Sequence, residues 1–211
     1  DTHVLRLAPE TVTRFVISAG DGVLEFTRQQ GKPWNLTRPL QARASQERVN
    51  AVLNALLNLE AKPGKSAVSA PPAASTPVMK VTLQAANLEK PLELTLQPSE
   101  RPEDEPLVSV SDRPGLFAVP AKVATFWKLQ PNHLRDQHLV HIDGEHATSL
   151  RIRSIANPEI VLNREADTWM LTRHGVSAAA NQDRVRKLLE GLNNATVVDF
   201  AADAPKSLDA F

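Results

Sequence analysis

The sequence contains no cysteine. Disulfides, thiol nucleophiles and thiolate metal sites are therefore excluded from the start. The compartment stays open, because a bacterial periplasmic protein can also do without disulfides. Neither sign of charge is in surplus, with Lys+Arg and Asp+Glu both at 24. A nucleic-acid binder carries a basic excess that replaces counterions on phosphate, so no nucleic-acid partner is expected. No Lys/Arg run marks a membrane-surface patch. No apolar run approaches the roughly 20 residues that a membrane helix needs. The eight glycines form neither a G-x-G-x-x-G pattern nor a phosphate-binding loop, and no G-x-S-x-G elbow occurs. No signal peptide is present, and the chain opens at Asp1 without Met. That start reads as a mature or truncated product, with an anchor or targeting segment expected ahead of it.

What is there is a globular composition, with 42% hydrophobic residues in 211. The length suits one large domain or two small lobes. The most informative stretch occurs twice: Trp34-Asn35-Leu36-Thr37-Arg38 returns as Trp169-Met170-Leu171-Thr172-Arg173, 135 residues later. The same offset pairs His3 with His138, Leu7 with Ile142, Glu10 with Glu145, Thr13 with Thr148, Phe15 with Leu150 and Ile17 with Ile152. After the Trp motif the offset is 136, which pairs Gln46 with Gln182, Arg48 with Arg184, Val49 with Val185, Leu53 with Leu189 and Leu56 with Leu192. The one-residue slip falls in a loop, where it costs least. Order and spacing agree along both copies, as an internal repeat requires.

Within the first copy, alternation around Phe15 and Ile17, then Leu24 and Phe26, flanks Asp21-Gly22 and predicts a hairpin. A third strand starts at Trp34 and ends at Pro39, which lacks a ladder donor. Val49, Val52, Leu53, Leu56 and Leu59 then repeat with helical spacing, behind Ser45 as N-cap. In the second copy Asn181 takes the cap position. Residues 63–77 are rich in Pro, Ala and Ser and read as a linker. Residues 78–130 alternate as an antiparallel meander, then a short helix follows Pro120. The expected fold is α+β: two repeated β-β-β-α units, about 1–62 and 136–200, joined by a central antiparallel β-meander plus short helix. As segments, these are 1–62 for the first repeat, 63–77 for the linker, 78–130 for the meander and helix, and 131–211 for the second repeat and C-terminal tail. One continuous domain could hold them all.

The order resembles a bacterial family, domain of unknown function 4340. The resemblance rests on Trp34-Asn35-Leu36 with Pro39, Ala44 and Val49, on Gly115-Leu116-Phe117-Ala118-Val119-Pro120, and on Leu134-Arg135-Asp136 with Leu139 and Leu150. It covers nearly all of the chain. Family members usually begin with a membrane helix, which is missing here. They often carry a Gly after the second middle strand, where this chain has Gln97-Pro98. The resemblance implies a membrane-tethered extracytoplasmic (periplasmic) domain working with an ABC transporter of the gliding-motility type. It implies no catalytic residues.

The densest set of potential ligands is His138, His141, Asp143, Glu145 and His146. Imidazole with carboxylate suits Zn²⁺ or a similar ion. The spacing is not the i,i+4 helical pair of zinc proteases, Gly144 favours a turn, and on a strand His138 and His141 would face opposite ways. His138, His141, Asp143 and His146 are therefore metal candidates of second rank. Glu103, Asp104 and Glu105 lie between prolines and read as a solvated loop. Trp34 and Trp169, with Leu36 and Leu171, read as core anchors of the repeat rather than as stacking platforms. Arg38 and Arg173 are candidate anion contacts, though strand-end arginines more often lay their stems on apolar surface. Asn35-Leu36-Thr37 fits a glycosylation sequon but is discounted beside a buried Trp.

The expected function is a non-catalytic extracytoplasmic accessory domain that recognises a protein or polymer, with no cofactor. Its expected partner is a membrane protein or ABC-transporter subunit, reached through a membrane anchor. The alternatives are a metal-dependent hydrolase centred on His138–His146 and a self-assembling scaffold.

Overall fold

The computed structural model describes residues 3–61, 79–97, 105–156, 158–173 and 175–203. The linker at 63–77 and the acids Glu103 and Asp104 lie outside those residues. The fold is α+β and divides into two units, one running to Asp136 and including Asp203, the other Gln137–Ala202.

In the first unit, β1 (Val12–Ala19) and β2 (Gly22–Thr27) form the hairpin, with Phe15 opposite Phe26 and Ile17 opposite Leu24. Gly20 takes a φ of 55° at the turn, a left-handed conformation that glycine adopts at no steric cost. β3 (Asn35–Arg38) and β4 (Ala42–Arg43) follow, and then α1 (Gln46–Leu57). The helix begins where the Ser45 hydroxyl accepts from the Arg48 N–H, and it buries Val49, Val52, Leu53, Leu56 and Leu57.

The meander supplies β5 (Met79–Ala85), β6 (Leu92–Gln97), β7 (Leu107–Val110) and β8 (Arg113–Ala118). β5 pairs with β1, placing Leu83 against Phe15 and Val81 against Ile17. The meander thus belongs to the first unit's sheet, which runs β4-β3-β2-β1-β5-β6-β7-β8. Met79, Val81, Leu83 and Ala85 are buried in strict alternation, so only one register puts them on the core face. Phe15, Phe26, Trp34 and Leu36 pack with α1 in this core. Phe15 stacks on Phe26 at 4.8 Å between ring centroids and meets Trp34 edge-on at 5.2 Å.

The short helix expected after Pro120 is a 3-10 helix, Ala121–Lys128, with no side-chain cap, and α2 (Pro131–Leu134) follows it. The expectation of three strands before each repeated helix needs correction, because four precede α1 and four more precede the last long helix. β4 is two residues long, too short to show alternation.

The second unit contains β9 (Ser149–Ile152), β10 (Ile160–Glu165), β11 (Thr168–Arg173), β12 (Val176–Ala179) and α3 (Gln182–Asn193). The sheet runs β12-β11-β10-β9. Its fourth strand escaped the sequence reading because Val-Ser-Ala-Ala lacks large apolar residues. The core is small: Leu162, Trp169, Val185 and Leu189 are buried, with Leu150, Ile160 and Leu171 against them.

Candidate functional site

The first residue of each long helix reaches back to the tryptophan. The Gln46 carbonyl oxygen accepts from the Trp34 N–H at 2.6 Å, while its amide donates to the Trp34 and Ala44 carbonyls at 2.9 and 2.8 Å. Gln182 accepts from the Trp169 N–H at 2.9 Å and donates to the Trp169 and Ala180 carbonyls at 3.0 and 2.7 Å. One amide side chain thereby bonds three backbone groups around the tryptophan, although the Trp169 carbonyl also accepts from the Ala180 N–H at 2.8 Å. Trp34 is 1% exposed and Trp169 7%, so neither offers a ring face to a sugar or base. The Trp34 indole also donates to Asn50 at 3.0 Å, and the Arg28 guanidinium lies 4.2 Å from its ring centroid. Burial holds the Arg28 pKa below its ordinary value, against the raising influence of Glu10.

The arginines recur as well. The Arg28 N–H donates to the Thr13 carbonyl and its side chain to the Val12 and Pro9 carbonyls. The Arg164 N–H donates to the Thr148 carbonyl and its side chain to the Gly144 and Glu145 carbonyls. Each arginine fastens the loop that leads into the first strand of its unit. Sequence reasoning missed both devices. The signal was there for the glutamines, since Gln46 and Gln182 fall on the repeat offset. A Gln at a helix start nevertheless reads as surface.

The structure sorts the histidine-rich segment into two pairs. The His138 and His141 rings lie 5.2 Å apart, both on exposed residues. The Asp143 carboxylate bonds the His146 ring nitrogen at 2.8 Å and caps the turn through the N–H groups of Glu145 and His146. The His146 hydrogen bond chiefly holds the Asp143 carboxyl below the usual carboxylate range. His138, His141, Asp143 and His146 do not meet at one point.

Of the two candidate anion contacts, Arg38 is occupied. Its Nε lies 3.3 Å from Glu25, which also takes Arg14 at 2.7 Å. Arg173, at the end of β11, has no ion pair among the described residues.

A further concentration of charge, unnoticed in the sequence, sits at the end of β9, with Arg151 on the strand, Arg153 just past it and Glu159 just before β10. Glu159 receives Arg153 at 2.6 Å and Arg151 at 3.3 Å. The Arg153 hydrogen bond, then the charges of Arg153 and Arg151, hold the Glu159 carboxyl below its ordinary range. In the first unit, a cleft of about 400 Å³ opens beside the β1–β2 hairpin, lined among others by Ile17, Asp21, Leu24, Pro39, Phe126 and Leu129.

These features define an α+β protein built on antiparallel sheets with tryptophan–glutamine clamps. The chain belongs to the family described as Domain of unknown function (DUF4340), which matches residues 34–210. No curated protein and no solved structure matches it.

Proposed function

We propose that this chain is the extracytoplasmic recognition domain of a membrane-tethered accessory protein in an ABC-transporter-type complex, acting without catalysis. Its frame is a duplication of one strand–helix unit. Support for the duplication comes from paired hydrogen bonds at matched positions. The Val4 N–H donates to the Leu59 carbonyl and the Leu139 N–H to the Ala195 carbonyl. The Thr11 N–H donates to Ala8 and the His146 N–H to Asp143. The row Phe15–Phe26–Leu36–Ala42 across the first sheet answers the row Leu150–Leu162–Leu171–Ala178 across the second.

The observation that carries recognition is the second unit's sheet. Among the described residues it ends in two edge strands, β9 and β12. Every residue of β12 is exposed, including Val176 at 71%. It carries no charge, proline or bulge of the kind that blunts a free edge. Unpaired backbone donors and acceptors there suit strand addition by a partner. The location and the transporter link rest on the family resemblance.

The test is affinity purification of the full-length protein from detergent-solubilised membranes of its host. A transporter membrane subunit is expected to co-elute in fixed proportion. Failure of any membrane protein to enrich would overturn the reading. The competing reading, a metal-dependent hydrolase, draws on the adjacent His138 and His141 rings. It requires stoichiometric zinc in the purified protein, and elemental analysis decides it.

A further inference from the structure

In the first unit the outer edge of β1 is filled. Arg14, Val16 and Ser18 pair with Gln84, Thr82 and Lys80 of β5. Beneath that pairing Phe15 and Ile17 are 0% and 2% exposed. β9 holds the matching position in the second unit, and among the described residues no strand pairs with its outer side. The Thr148 carbonyl accepts from the Arg164 N–H. Backbone groups of an antiparallel strand alternate in direction, so Leu150 and Ile152 turn theirs toward β10 while Ser149 and Arg151 turn theirs outward. Leu150 and Ile152, the counterparts of Phe15 and Ile17, stay half-buried.

The charge on this edge selects the partner. Arg151 and Arg153 share a single carboxylate, Glu159, and both guanidinium side chains are more than half exposed, at 58% and 71%. One positive charge is left over. The corresponding positions of the first unit are Val16 and Ser18, so the arginines belong to the uncovered copy alone.

We infer that the outer edge of β9 is a docking site for an extended acidic segment of a partner protein, in which apolar residues alternate with carboxylates. The added strand takes the place that β5 holds on β1. Its apolar side chains cover Leu150 and Ile152, and its carboxylates face Arg151 and Arg153. This rests on the recognition reading above and names the edge and the chemistry of what it recognises.

The probes are short end-blocked peptides alternating valine with glutamate, with lysine or with serine, added to the purified whole chain. Binding is read by fluorescence anisotropy, and the location by amide hydrogen exchange. The glutamate peptide is expected to bind about tenfold more tightly than the lysine peptide, since opposite charges across strands attract and like charges repel. It should slow exchange at Ser149 and Arg151. The double variant Arg151→Glu/Arg153→Glu is expected to reverse the preference. Glu159→Gln, which removes the competing carboxylate, is expected to tighten glutamate-peptide binding. Equal binding of the three peptides overturns the inference. So does protection that maps elsewhere, or full protection of Ser149 and Arg151 before any peptide is added. Co-purification of a transporter subunit with the double variant, without peptide protection of β9, sinks the strand-docking inference alone. Peptide protection without any membrane partner sinks the transporter reading alone.

Discussion

Trp34 and Gln46 show how one polar side chain can hold a large apolar one in place. The indole fills the junction of sheet and helix, and the glutamine satisfies the backbone around it. Removing the ring leaves a cavity, so Trp34→Ala should cost about 3–5 kcal/mol in chemical denaturation. Gln46→Ala should cost less, about 1–3 kcal/mol, because it strands buried backbone groups without emptying the core. A Trp34→Ala protein with an unchanged unfolding midpoint would show that the ring is not structural. The tryptophans were legible in the sequence because a rare, bulky residue recurred at a fixed offset. The clamps were not, because a glutamine's partners are backbone groups that no pattern names. Glu159 gives a second test at this scale. Its carboxyl is held low by Arg153, so the ion pair is complete above the ordinary carboxylate range and is lost as pH falls through the folded-state pKa. Arg153→Gln should move the Glu159 titration upward toward that range, as followed by carboxyl NMR. An unmoved titration would show that Arg153 is not the cause.

The long helices α1 and α3 were the most legible elements, because 3.6-residue periodicity survives over three turns and both N-caps are side chains with the right chemistry. The two caps differ in quality. Asn181 accepts from the Arg184 N–H at 3.0 Å, whereas Ser45 accepts from Arg48 at 3.5 Å. Asn181→Ala should therefore destabilise its helix by about 1 kcal/mol, and Ser45→Ala by less. Amide exchange in the first turn of each helix reads the difference, and equal losses would contradict it. β6 was legible because it alternates cleanly, and β5 because it alternates in part. β4 and β12 were not, being short or poor in large apolar residues. Nor could alternation show that β5 pairs with β1, because pairing over such sequence separation depends on tertiary packing rather than on local pattern. The β9 edge was hidden for the same reason. Arg151 and Arg153 look like ordinary surface residues until the strand that covers the matching position in the first unit is seen to have no counterpart among the described residues.

At the scale of the whole molecule, the proposed duplication has unequal consequences for its two copies. The first unit's sheet includes the meander, with β5 to β8 on one continuous sheet. Its core draws on both the duplicated frame and the added strands. Among the described residues, the second unit has four strands and buries Leu162, Trp169, Val185 and Leu189. Where the first has the buried Leu57, the second has Asn193, whose amide instead bonds both the N–H and the carbonyl of Ile142 at 2.6 and 2.8 Å. Where the first has Val4 at 1% exposure, the second has Leu139 at 57%. Local stability follows the apolar surface that each region removes from water. Native-state hydrogen exchange should therefore show α3, β10 and β11 opening at a lower free energy than β1, β5 and α1. Trp169→Ala should accelerate exchange in the first group and leave the second unchanged. A common opening free energy for all six elements would mean that the chain unfolds as one cooperative body. The second unit would then not be the softer one that strand addition at β9 could stiffen.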